Sequence, residues 1–178
     1  MSFEEIRVIT VVYLAVFIPI LIFITNRSKL PSWAPSFYII GVIVCALGWE
    51  LWFTYGWVHG DSVEIRRSEA LNTWLPQNIN WLLNSMGDAG AVLLGGTWLM
   101  WITHGRDNLV FKKWKWSAFI VFFVWCVSQN ILVEMFLYHD QLASGKPLSW
   151  APISPLGPYF NPILFEFNNR TIMLQSQM

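Results

Sequence analysis

Charge is scarce in this chain. Asp, Glu, Lys and Arg together make up 12% of its 178 residues, about half the share of an average soluble domain. That is too little to dress a water-facing surface, and the chain is too apolar to stay disordered. Two cysteines, Cys45 and Cys126, exclude a disulfide scaffold, and the lack of a heptad pattern excludes a coiled coil. Basic and acidic residues balance at 11 each, so no basic excess points to a nucleic-acid partner. No GxSxG, Walker, CxxC or dinucleotide fingerprint is present. The three histidines, His59, His104 and His139, do not share a ligand spacing such as HxxxH. The Glu-x-x-His pattern of carboxylate-bridged metal sites fails at Glu134, which is followed three places on by Leu137. No metal is expected, and the sequence names no cofactor.

What remains is apolar and aromatic. Hydrophobic residues reach 55%, with 12 Trp and 13 Phe, and mean hydropathy is +0.46. These values predict an all-α membrane protein whose outer face meets lipid. A spanning helix needs about 20 mostly apolar residues, and four segments qualify: Val8–Thr25, Pro35–Trp57, Asn80–Thr103 and Ser117–Tyr138. The expected architecture is a four-helix transmembrane bundle over residues 1–138, followed by a Pro-rich interfacial cap segment over 139–178. The first span has the length of a signal peptide, but its leader carries Glu4 and Glu5 where a basic region should stand. It is expected to be retained.

Basic residues near span ends set the orientation. Arg27, Lys29, Arg106, Lys112, Lys113 and Lys115 crowd two short loops, whereas Arg7, Arg66, Arg67, Lys146 and Arg170 are spread over longer segments with acidic neighbours. The crowded loops are expected to be cytoplasmic and both termini non-cytoplasmic. Beyond Tyr138, Pro147, Pro152, Pro155, Pro158 and Pro162 forbid a long helix, and Trp150 and Tyr159 suit the headgroup level. Residues Phe165 to Met178 are too polar for a fifth span, and an end without a terminal signal is what a fragment of a longer protein would show. Asn26-Arg27-Ser28 and Asn169-Arg170-Thr171 match the glycosylation triplet, a pattern frequent by chance.

Three spans each hold one carboxylate: Glu50, Asp88 and Glu134. Each costs about 2.5–3.5 kcal/mol at the bilayer centre, so each is a candidate functional group; the plainer role is a helix-end acid or a lock between two helices. Counting residues from the span ends puts Glu50, Asp88 and Asn130 roughly 12 Å below the same surface, with Glu134 one turn higher. Asn84 and Asp88 share a face, as do Asn130, Glu134 and Tyr138. These faces predict one polar pocket in the outer half of the bundle, with Trp49 and Trp52 flanking Glu50. Trp57 and Trp81 read as an interfacial belt. Gly87, Ala91 and Gly95, four apart, predict a stripe where a neighbouring helix comes close. Carboxyls crowded in such a pocket should not all ionise. A protonated acid among aromatic faces is suited to protonating an alkene or epoxide and steadying the resulting cation.

The run Ala46-Leu47-Gly48-Trp49-Glu50-Leu51-Trp52-Phe53 resembles the Trp-Glu segment of the integral-membrane terpene cyclases of meroterpenoid pathways. The resemblance implies a role in protonation for Glu50. The family has seven spans and a second acid near its last helix, which these four spans do not supply, so Asp88 and Glu134 stand on position alone. The expected function is a small membrane enzyme acting on an isoprenoid or other lipid by acid–base chemistry. Glu50, Asp88 and Glu134 would be its catalytic groups, and Asn84, Asn130, Trp49, Trp52 and Tyr138 would contact substrate. Membrane lipid is then its partner. The alternative is a non-catalytic subunit paired with other membrane subunits. A transporter is disfavoured, because the inner half is nearly devoid of polar residues.

Overall fold

A computed structural model describes residues 1–57, 61–141, 159–160, 162–168 and 170–174. Helix α1 runs over Phe3–Thr25. Its start is fixed by a reciprocal cap: the Ser2 hydroxyl accepts from the Glu5 backbone N–H at 3.2 Å, and the Glu5 carboxylate accepts from the Ser2 N–H at 2.7 Å. Val8, Val12, Val16 and Pro19 form its buried stripe, while Leu14, Phe17, Ile18 and Leu21 face outward. An outward face this apolar reverses the pattern of a water-soluble helix.

The second predicted span is two helices, α2 (Ala34–Leu47) and α3 (Trp49–Tyr55), bent by 46° at Gly48. A Cβ on Gly48 would lie 2.8 Å from the Val44 carbonyl oxygen, so only glycine passes through this bend unhindered. Gly56 then ends α3 in the left-handed conformation, φ 66°. Two short helices, α4 (Val63–Arg66) and α5 (Glu69–Trp74), cross the end of the bundle. The third segment is a rod of α6 (Gln77–Asp88), a π-helical stretch Ala89–Leu94 and α7 (Gly95–Thr103). After a 3-10 turn at Asn108–Phe111, the fourth is α8 (Trp116–Leu132), a second π-helical stretch Val133–Tyr138 and a closing turn, α9 (His139–Gln141). The α1 helix and the Trp116–Gln141 rod are long and apolar enough to cross a membrane, and the bent pair α2–α3 makes a third if taken as one span.

The rods run up and down. At one end, Arg7 on α1 pairs with Asp140 on α9, and Ser68 donates to Glu5 at 2.5 Å. At the other, His104 meets Ser117 at 2.8 Å and the Trp33 and Phe111 rings lie 5.2 Å apart. Leu71 and Leu75 from α5 and its end pack under Val8 and Val12, closing the first end with apolar contact.

The all-helical expectation needs one amendment. Strands β1 (Ile163–Phe167) and β2 (Arg170–Met173) form an antiparallel hairpin through a turn with Asn168 at φ 52°. Asn tolerates that conformation better than most residues, and the apolar, aromatic run after Pro162 suits a strand. The hairpin packs β2 on the Val133–Tyr138 stretch, with Ile172 fully buried. His59, Lys146, Trp150 and the prolines from Pro147 to Pro158 lie outside the described residues.

The expected small-residue stripe is also redrawn. A π-helical turn inserts an extra residue and rotates the helix beyond it. Gly87 and Gly90 face Ala15 and Pro19 of α1, Gly95 and Gly96 face Trp125 and Phe122 of α8, and Ala91 is exposed. The four-residue period is broken by the wide turn, and both sides of the rod are used within the chain.

Candidate functional site

Glu50, Asp88 and Glu134 all sit at irregularities of their helices. Glu50 follows the Gly48 bend by two residues, Asp88 directly precedes the first π-helical stretch, and Glu134 lies inside the second. Each irregularity strands backbone carbonyls that apolar surroundings cannot satisfy, and each has a side-chain donor from another element close at hand. The Trp81 indole N–H donates to the Ala46 carbonyl at 2.8 Å, beside the bend. The Trp125 indole donates to the Ala91 carbonyl at 2.8 Å, inside the first π stretch. Arg170 of β2 donates to the Met135 carbonyl, inside the second. Trp81 is therefore a strut between α6 and the end of α2.

Glu50 is 1% exposed. Thr54, one turn on, donates to its Oε2 at 3.0 Å, and the Asn84 side chain lies within hydrogen-bonding reach from α6. Asp88, one turn beyond Asn84, stands within Coulombic range of Glu50 and of Tyr138. Among the described residues nothing donates a hydrogen bond to the Asp88 carboxylate. Tyr138 reaches the same place from the fourth rod; its hydroxyl is within hydrogen-bonding reach of the Trp49 indole, and its ring lies 4.6 Å from that of Phe53. The structure thus brings together Trp49, Glu50, Asn84, Asp88 and Tyr138 from three rods. Trp52 meets Trp49 edge to face, ring centroids 6.0 Å apart, and among the described residues its buried indole N–H has no acceptor.

Two predicted members bond elsewhere, although Glu134 stays within Coulombic range of Tyr138. The Glu134 carboxylate is fully buried, and its Oε1 accepts from the Met173 backbone N–H at 3.0 Å, so it anchors β2. Asn130 takes a hydrogen bond from its neighbour Gln129 and is not joined to the Glu50 group.

Sequence reading missed Arg66 and Arg67, which it counted among the surface charges. Arg66 is 2% exposed, donates to the Asp61 carbonyl at 3.0 Å and to the Phe53 carbonyl, and lies 4.7 Å above the Phe53 ring. Arg67 donates to Asn72 (3.1 Å), Asn80 (2.9 Å) and the Leu75 carbonyl (2.5 Å). Burial pushes both guanidiniums down to about 10, Arg66 against the pull of Tyr138, Asp61 and Glu50. Both stay charged at neutral pH. Arg66 is a fixed positive charge within Coulombic range of Glu50, and nothing in the spacing of an Arg-Arg pair announced it.

A surface groove of about 490 Å³, lined by Leu51, Tyr55, Gly56 and Trp57, opens on the flank of α3. Leu51 and Tyr55 share one face of that helix, and Glu50 and Thr54 lie on the next face round. The chain matches no known protein family, no curated protein and no solved structure.

Proposed function

We propose that the chain forms a four-helix transmembrane bundle and acts as a membrane-embedded acid–base enzyme on an isoprenoid or other lipid. The observation that carries this reading is the meeting, out of water, of Glu50 and Asp88 with Tyr138 and Trp49 from three separate rods. A lone intramembrane acid is explained by a helix contact. Two facing acids, one with two hydroxyl or amide partners and one with none, are costly unless a proton moves between them and a ligand.

In this reading Glu50 gives its proton to an alkene carbon or epoxide oxygen of the substrate. The cation that forms faces the Trp49 and Trp52 rings. A C–H proton is then lost to the Asp88 carboxylate, and the substrate leaves as an isomer or cyclised product with no net change in oxidation state. Arg66 and the α4–α5 crossing keep bulk water from the outer side. The groove on α3 offers a lateral approach from the bilayer, and the acceptor-less Trp52 N–H suits an oxygen on the incoming lipid. The likeness of the Ala46–Phe53 run to membrane terpene cyclases favours an isoprenoid. Gly87, Gly90, Gly95 and Gly96 already pack inside the chain, which favours a self-sufficient bundle over a subunit needing partner helices.

The test is a comparison of lipid extracts, by mass spectrometry, from cells expressing the wild type and Glu50→Gln. Loss of a general acid should lower formation of the product by about a hundredfold or more, with expression and thermal unfolding unchanged. Product formed equally by Glu50→Gln, or extracts identical with and without the protein, would remove the reading.

A further inference from the structure

At the end of the bundle where α1 begins, a second polar feature stands apart from the Glu50 group. It is a cleft of about 300 Å³ whose walls include Glu4, Glu5, Ser68, His139, Gln141 and Arg170. Three elements meet there: the first turn of α1, the start of α5, and α9 with β2 against it. The Arg7–Asp140–Arg170 clamp holds them in place.

The walls are rich in acceptors. Gln141 is 5% exposed, and among the described residues its Oε1 has no hydrogen-bond donor, which leaves a buried carbonyl oxygen unsatisfied beside the cleft. The His139 Nε2–H donates to the Thr171 carbonyl at 3.1 Å, and in the neutral imidazole Nδ1 is an acceptor. Glu5 is steered by Ser68 and by the Ser2 N–H. Glu4 is exposed at the rim. Arg170, the cation of the wall, is already engaged by Asp140 and the Met135 carbonyl. A ligand for this cleft must therefore bring donors and positive charge. The Met1 amine already lies 4.0 Å from Glu5 at the rim. A metal ion fits less well, because no three His, Cys, Asp or Glu side chains converge for one among the described residues.

We propose that this cleft binds a primary ammonium group, its N–H donors shared among Gln141 Oε1, His139 Nδ1 and the Glu4 and Glu5 carboxylates. Its place at a helix end gives the ammonium two sources, an ethanolamine lipid headgroup or a soluble amine. The inference does not rest on the acid–base reading, since it uses none of the same residues.

The full chain in detergent is titrated with phosphatidylethanolamine and, in parallel, phosphatidylcholine, whose methylated nitrogen has no N–H, with binding read by native mass spectrometry. The ethanolamine lipid should be retained at least about tenfold better; Gln141→Leu should cost about tenfold, the usual worth of a hydrogen bond to a charged group, and Glu4→Gln, at a solvated carboxylate, about two- to fivefold. Free ethanolamine displacing the lipid with the same sensitivity to both variants supports the same chemistry from a soluble source. Equal retention of the two lipids, wild-type affinity in both variants, or displacement by calcium but not by ethanolamine overturns the proposal. Glu4 is exposed, so Glu4→Gln decides the matter even if Gln141→Leu does not fold.

Discussion

Replacing Asp140 by Asn should release the hairpin from the helices. Its carboxylate is wholly buried and takes hydrogen bonds from Arg7 Nε at 3.0 Å and Arg170 at 2.8 Å, joining residues 133 apart in sequence. Breaking a buried ion pair by removing one partner costs about 3–5 kcal/mol. Here the Arg7 and Arg170 side chains are 32% and 28% exposed and can regain water, and Asn keeps one acceptor oxygen. The net loss should therefore be about 2–3 kcal/mol. For a chain of this size that lowers the thermal midpoint by about 4–12 °C. If the loss falls on the hairpin alone, amide exchange at Arg170 to Met173 should quicken by about 30- to 150-fold. Circular dichroism melting in detergent and hydrogen exchange read the two quantities. A midpoint within one or two degrees of wild type, with hairpin exchange unchanged, would show that the clamp is not what holds β2 to the fourth rod.

Two further substitutions probe the packing. In Gly90→Val the new Cβ would lie 2.6 Å from the Pro19 ring and 3.3 Å from the Ala15 carbonyl oxygen; it should destabilise the chain by about 1–3 kcal/mol, read by thermal unfolding, with a wild-type midpoint counting against this helix contact. Arg67→Met keeps the apolar stem but strands buried acceptors on Asn80 and Leu75; it should cost about 3 kcal/mol and speed proteolysis within α4–α5, and a variant as resistant as wild type would mean the segment is held by Leu71 and Leu75 alone.

Where the helices lie was readable from hydropathy. The four apolar segments become four rods with ends within a few residues of those expected, because a run of about 20 apolar residues leaves the backbone few other ways to satisfy its N–H and C=O groups. Residue spacing put Glu50 and Asp88 at one level and Asn84 on the Asp88 face, but it set Asn130 at that level too, whereas Tyr138, two turns further on, is the fourth-rod residue that reaches Glu50 and Asp88. Interruptions inside the rods were not readable. Ala89–Leu94 and Val133–Tyr138 have ordinary helix-forming residues, and the wide turns there depend on Pro19, Trp125 and Arg170 arriving from elsewhere. Gly48 was the one local hint, as a glycine amid bulky neighbours. The second π-helical stretch also lets Glu134 accept from the Met173 N–H of β2 while it stays within Coulombic range of Tyr138, a pairing that residue spacing did not indicate. The burial of Arg66 and Arg67 depends on carbonyls of Phe53 and Leu75, and backbone acceptors leave no trace in a residue pattern.

The carbonyls beside Gly48 and within the wide turns are answered by Trp81, Trp125 and Arg170, all reaching in from other parts of the chain. A span on its own, newly inserted, has no such donor and is best served by an unbroken ladder of its own hydrogen bonds. Its kinks belong to the assembled bundle, acquired as neighbours dock. On the proposed membrane reading, the geometry that sets Glu50 against Asp88 therefore comes into being late, only once the helices have docked.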